Sequence, residues 1–255
     1  SAGIAVFPVH ASSVTEILSV VALTVQEAKA SGGDAVRVAG TAPEATSEMK
    51  AFDTLQGLVI AIDTKDRYTK RHSEDVARYS VFIAHQLGLD EEFRRNIWSA
   101  GLLHDIGKIG IPDVVLRKPG SLTDAEYETV KQHVALGDAI VRNIEAVDIV
   151  RAGVRHHHER WDGHGYLHRL AGEDIPLIAR ILAVGDAFSA MTTTRPYRKA
   201  LPLEEALKRL GDAAGTQLEE RLVAAFINGI ETVPDAPLPG VDTGTPLWVP
   251  TIRVA

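Results

Sequence analysis

The sequence contains no cysteine. Disulfides and thiolate metal ligands are excluded, so any bound metal must be held by histidine, aspartate or glutamate. No apolar run approaches the roughly 18 residues of a membrane span. The longest apolar window, around Ile17 to Val25, is broken by Ser19 and Thr24 and ends at Gln26. The N-terminus lacks the basic flank of a signal peptide. Excess positive charge is also missing: 27 basic residues face 34 acidic ones, a net of −7. That balance argues against a general nucleic-acid binder but leaves room for a local basic pocket. What remains is a chain of 255 residues, 45% hydrophobic and 24% charged, long enough for one large soluble domain or a domain plus a fragment. Its ten histidines are the residues to follow.

Residues 1–39 differ in texture from the rest. "GIAVFP" is a β-branched and aromatic run ended by Pro8. "SSVTEILSVVALTVQEAKASGG" has helical periodicity with Ser12 or Ser13 as cap, and "DAVRVA" reads as a short strand. This strand-helix-strand unit resembles the closing segment of a GGDEF (diguanylate cyclase) domain, without the part that carries the cyclase signature. Because the chain opens with Ser1 and not Met, an upstream regulatory or GGDEF portion is expected to be missing. "GTAPEATSE", residues 40–48, has linker chemistry.

From Met49 to Thr232 the pattern is helical, with helices expected over 49–64, 72–88, 90–105, 123–142, 146–157, 175–192, 203–213 and 218–230. Thr123 and Glu126 form a capping box for the fourth. The tail, 233–255, is rich in proline and glycine and is expected to lie extended on the surface.

The stretch "HDIGKIGIP", residues 104–112, interrupts this helical texture. Each glycine costs about 1 kcal/mol relative to alanine inside a helix, so packing alone does not account for it. Adjacent residues on a helix point about 100° apart. His104 and Asp105 can meet at one point only if the helix ends or bends there, as Gly107 and Gly110 permit. An imidazole and a carboxylate at a helix end suit a divalent ion. A second pair, His157-His158, lies in "RHHHERWDG", and His72, His133 and Asp186 stand alone. Singly, His72 reads as a surface or capping residue and His133 as half-exposed. Asp186, in "ILAVGDAFSAM", would cost several kcal/mol if buried without a partner.

Taken together, their order and the words around them are similar to the HD-GYP branch of the HD metal-dependent phosphohydrolases. The matching words are "DRYTKRHSEDVARYS", "HDIGKIGIPDVVLRKPGSLTDAE", "HHERWDGHGY" and "EDIPLIARILAVGDAFSAMTTTRPYRKAL", and the resemblance covers roughly residues 50–230. It implies an all-α HD-superfamily bundle with the small β-α-β segment ahead of it. It further implies that Asp105 bridges two divalent ions, iron or manganese. The first ion would also take His72, His104 and Asp186, and the second His133, His157 and His158, with a bridging water as nucleophile.

Lys108 lies one turn beyond His104, on the same face if the helix continues, and is placed to bind phosphate or protonate the leaving oxygen. By the same resemblance Arg195, Arg198 and Lys118 contact substrate, and Tyr166 is expected to stack on or hydrogen-bond to the nucleotide. The expected activity is hydrolysis of cyclic di-GMP to pGpG or GMP in the bacterial cytoplasm, by a chain that can pair as a homodimer through residues 49–64. Three departures stand out: the tripeptide Gly165-Tyr166-Leu167 lacks the family's proline, Ser189 replaces an aspartate, and Tyr68 stands where three-metal members place a glutamate. The Tyr68 position implies two ions. His156 has no counterpart in the motif, and His164 and His168 are not expected as ligands. A binding module without turnover and an enzyme for another cyclic dinucleotide or nucleotide are the competing readings.

Overall fold

The computed structural model describes residues 1–40, 54, 57–61, 69–142, 144, 147–194, 199–233 and 236–239. Strands β1 (Ala2–Ile4) and β2 (Val36–Val38) pair in parallel, Ala2 opposite Val36 and Ile4 opposite Val38. Parallel strands need a crossover, and helix α1 (Val14–Ala30) supplies it. Ser13 caps α1 by accepting from the Glu16 backbone, which decides between the two candidate serines.

The remaining elements are α2 (Thr69–Gln86), α3 (Glu91–Leu103), a 3-10 turn (Ile106–Gly110), α4 (Asp113–Leu116), α5 (Asp124–Val141) and α6 (Asp148–His156). A second 3-10 turn (Gly172–Asp174), α7 (Leu177–Thr192), α8 (Leu203–Asp212) and α9 (Glu220–Thr232) follow. The helices expected from periodicity beyond residue 70 form within three residues at either end. The short α4 and the 3-10 turns were not anticipated, because a single turn carries too little periodicity to read. Of the helix expected over 49–64, residues 54 and 57–61 are helical and Leu58 is fully buried; the rest lies outside the described residues.

Helix α2 is central. Val76, Ala77, Val81, Phe82 and Ile83 are all fully buried, so α2 is apolar around most of its circumference, as an enclosed helix must be. It packs against α3 and α7, with α9 closing the far side. Tyr79 of α2, Phe188 of α7 and Phe226 of α9 meet edge to face, at 4.9 Å for the first pair and 4.8 Å for Phe188 with Phe226. Helix α5 lies along the 3-10 turn and α6. The N-terminal unit rests on this body, where the Thr15 hydroxyl donates to the Ile140 carbonyl at 2.6 Å. In the described part of the tail, Ala236 is buried in the core instead of lying on the surface. No described helix is long and apolar enough to cross a membrane.

Candidate metal centre

The site begins where α3 stops. Leu103 is its last residue, His104 closes it, and Asp105 leaves helical geometry at φ −96°, ψ 8°. The 3-10 turn that follows lies directly on the backbone of α5. A Cβ on Gly107 would sit 1.8 Å from the His133 carbonyl oxygen and 2.5 Å from the Gly137 nitrogen. Only glycine permits that approach. The approach carries Asp105 to α5, with Oδ1 3.3 Å from His133 Nε2 and Oδ2 3.3 Å from His104 Nε2.

Three imidazoles are oriented by the same device. Nδ1 of His104 donates to Gly101 O at 2.7 Å, that of His133 to Val130 O at 2.6 Å, and that of His157 to Val154 O at 2.8 Å. A carbonyl can only accept, so Nδ1 carries the proton and Nε2 keeps its lone pair. Those lone pairs converge: His133 Nε2 and His157 Nε2 are 3.4 Å apart. His104 Nε2 is buried without a hydrogen-bond partner. Facing lone pairs beside a carboxylate repel unless a cation lies between them, so the residues fit a metal centre.

On the other side, His72 Nε2 lies 3.2 Å from Asp186 Oδ1, and its Nδ1 lies 2.8 Å from the hydroxyl of fully buried Ser189. Asp186 is therefore a paired acid in its apolar helix. The seven residues predicted as ligands fall into two groups. Donor atoms of Asp105, His133, His157 and His158 lie within 4.8 Å of one another, and those of His72, His104 and Asp186 do likewise. Asp105 faces both groups through its two oxygens.

The electrostatics agree with the geometry. Burial pushes the Asp105 carboxyl up, but the Lys108 ammonium and then His104 outweigh it and hold it well below the usual carboxylate range. For Asp186 burial acts the same way, and the His72 hydrogen bond and charge overcome it. Burial pushes His157 well below its ordinary value, lowers His133, and brings His158 to about 4, so these rings stay neutral and able to ligate near pH 7. Burial also works against protonation of His104, but Asp105 overrides it and raises the imidazole, the behaviour of a point that attracts a cation.

Around this centre, Lys108 Nζ donates to Asp105 Oδ2 at 2.5 Å. Its reach comes from the 3-10 turn and not from a continued helix. The Tyr166 ring stacks on His158 at 4.9 Å and 26°. A Cβ on the preceding Gly165 would meet Glu159 Cα at 2.5 Å, so the loop lies tightly on the end of α6. Lys118 is committed to Glu126 at 2.6 Å. Arg195, Arg198 and Tyr68 lie outside the described residues.

Two features escaped the sequence reading. Ser189 orients a candidate ligand, which no spacing rule reveals. His156, Glu159 and His168 form a third cluster of donors. The step of three residues from His156 to Glu159 was a visible signal, but His168 is brought to them only by the fold of its loop.

An HD domain family profile matches residues 59–222, more than half of the chain. The chain belongs to the HD domain family. This HD domain is 41% identical over 179 residues to a cyclic di-GMP phosphodiesterase of Thermotoga maritima, covering 69% of the chain and 48% of that protein. It is 40% identical over 184 residues to the cyclic di-GMP phosphodiesterase response regulator RpfG of Xanthomonas campestris, covering 71% and 49%. Against 3'3'-cGAMP-specific phosphodiesterase 3 of Vibrio cholerae it is 36% identical over 174 residues, covering 68% and 38%. The chain thus spans about half the length of these curated relatives, or less. Among solved structures, the HDG"Y"P protein Bd1817 of Bdellovibrio bacteriovorus superposes with a TM-score of 0.56 at 17% identity, covering 73% of this chain and 65% of that chain. That likeness speaks for the helical HD fold alone.

Proposed function

We propose that the chain is a metal-dependent phosphodiesterase that hydrolyses cyclic di-GMP to pGpG or GMP at a centre where Asp105 would be shared between two divalent ions. The observation that carries this reading is the convergence of the Nε2 atoms of His104 and His133 on the two oxygens of Asp105, with His157 Nε2 facing that of His133, each Nδ1 being tied to a carbonyl. His72, His104 and Asp186 would complete one ion's ligands, and His133, His157 and His158 the other's. Bound divalent ions of this class lower the pKa of water to about 7 and clamp phosphate oxygens. The donor set of imidazoles and carboxylates accepts iron or manganese.

The chain's own residues do the rest. Ser189 fixes the ring of His72 through Nδ1, and the carbonyls of Gly101, Val130 and Val154 fix those of His104, His133 and His157, so these four rings need not reorganise when substrate arrives. Lys108 holds a proton at Nζ beside Asp105 and gives it to the leaving ribose oxygen, or grips the phosphate. Tyr166, over His158, offers a flat wall for a base. Lys118 joins Arg195 and Arg198 in holding phosphate once it exchanges Glu126 for substrate. Residues 1–39 are read as the end of a GGDEF-like module, 40–48 as a linker, 49–232 as the HD-GYP domain and 233–255 as a tail, in a cytoplasmic signalling protein able to dimerise.

The test is product chromatography of cyclic di-GMP incubated anaerobically with iron- or manganese-loaded protein and with Asp105→Ala. Turnover by the first and none by the second is expected; equal behaviour of the two overturns the reading. A second substrate, 3'3'-cGAMP, is favoured by the 36% identity to the Vibrio cholerae protein named for it, and a panel of both nucleotides separates them. Absence of metal from protein purified without chelator under reducing conditions would favour the binding module.

A further inference from the structure

The cluster left over from the metal centre is His156, Glu159 and His168. Their donor atoms lie within 4.8 Å of one another. Glu159 Oε1 is 4.0 Å from His156 Nδ1 and 3.8 Å from His168 Nδ1, and the Glu159 side chain is fully buried. Its oxygens accept from the backbone of His168 at 2.7 Å and Leu170 at 3.1 Å. Those two bonds leave lone pairs to spare, since a carboxylate offers about four. Among the described residues no lysine or arginine is ion-paired with Glu159, so apart from those two backbone N–H groups its buried carboxylate is faced by the two imidazoles. His156 Nδ1 is itself buried without a hydrogen-bond partner.

From this arrangement we infer that His156, Glu159 and His168 form an accessory site for a borderline divalent cation, of which zinc is the type. A tetrahedral site with bonds of about 2.0–2.1 Å sets its donor atoms about 3.3 Å apart. The Glu159 separations of 3.8 and 4.0 Å are too long for hydrogen bonds, and these together with the His156–His168 donors, which lie within 4.8 Å, contract to close on an ion. His168 is the movable member, its side chain being 36% exposed. Solvent completes the coordination.

One contact competes with the ion. Arg155 lies 3.0 Å from His168 Nε2. An arginine can only donate, so this bond requires the lone pair on Nε2 and the proton on Nδ1, the tautomer that cannot ligate through Nδ1. Binding therefore moves the His168 proton to Nε2 and releases Arg155. The bound ion would tie the loop from Gly165 to Leu170 to the end of α6, two residues from His158 and beside Tyr166. The site does not depend on the substrate reading, because none of its residues belongs to the Asp105 centre.

The test uses the full chain titrated with zinc chloride, with zinc per chain measured by elemental analysis after gel filtration and affinity by competition with a chromophoric chelator. The wild type should retain one zinc per chain more than His168→Ala. Arg155→Ala should keep that ion and bind it several-fold more tightly. In the wild type, nitrogen-15 NMR of histidine rings should show the His168 Nδ1 resonance moving to a metal-bound position. Equal zinc content in wild type and His168→Ala, with His168 ring signals unmoved by zinc, would overturn the site. The NMR readout holds even if a variant folds poorly.

Discussion

Ser189 and Gly107 show how much of the centre depends on residues that ligate nothing. Ser189 bonds the far nitrogen of His72 at 2.8 Å, and partners of this kind typically contribute roughly 10–100-fold to metal affinity or activity. Ser189→Ala is expected to weaken metal binding by that factor while far-ultraviolet circular dichroism stays unchanged. Gly107 has no room for a side chain, since a Cβ would lie 1.8 Å from His133 O. Gly107→Ala should push the 3-10 turn off α5, destabilise the fold by roughly 3 kcal/mol, the upper end of overpacking costs, and abolish metal binding. Urea unfolding and metal titration check both. The seven candidate ligands, which the fold does gather into two groups, were legible as a set, because all but His133 stand in matching words and His133 falls in order between them. The residues that aim them were not. Nothing in "DAFSAM" says that its serine faces His72 across α2 and α7, and the glycine's purpose appears only once α5 lies beneath it.

At the scale of elements, the helices were readable from apolar periodicity and capping chemistry, and α5 is the plainest case. Thr123 and Glu126 close the expected capping box. Lys118 adds an ion pair at 2.6 Å. The hydrogen bond from Lys118, then that from the Thr123 backbone, hold the Glu126 carboxyl at about 2 against an ordinary 4.5. A depressed carboxyl contributes stability above its unfolded pKa and loses it as pH falls through its folded one. Glu126→Gln should therefore lower the urea midpoint at neutral pH, and the gap from wild type should shrink below pH 4.5 and close near pH 2. A gap that is constant over that range would contradict the assignment. The 3-10 turn was harder to foresee. Its glycines signalled an interruption, but five residues without a period do not say where the chain goes next.

For the whole molecule, the elements place imidazoles and acids from α2, α3, α5, the end of α6 and α7 around one point beside the aromatic core. Keeping these rings neutral has a cost in acid. Burial lowers His156 and His158 to about 4 from an ordinary 6.5, helped at His156 by the charge of His168 and opposed at His158 by that of Asp186. Between those values the unfolded chain takes up protons that the folded one refuses, so stability falls as pH drops from 6.5 toward 4. Thermal denaturation of metal-free protein should show its midpoint falling across that window, and manganese loading at neutral pH should raise it by mass action. A midpoint indifferent to added manganese would argue against a centre coupled to folding.

Counting ions per chain also bears on the dinuclear reading, provided it is done on His168→Ala, where the accessory site is removed. The most direct test of the central claim is an anomalous difference map from crystals of manganese-loaded protein. The account predicts two peaks flanking Asp105, about 3.5–4 Å apart, one among His72, His104 and Asp186 and the other among His133, His157 and His158. A map with no peak beside Asp105 would contradict it.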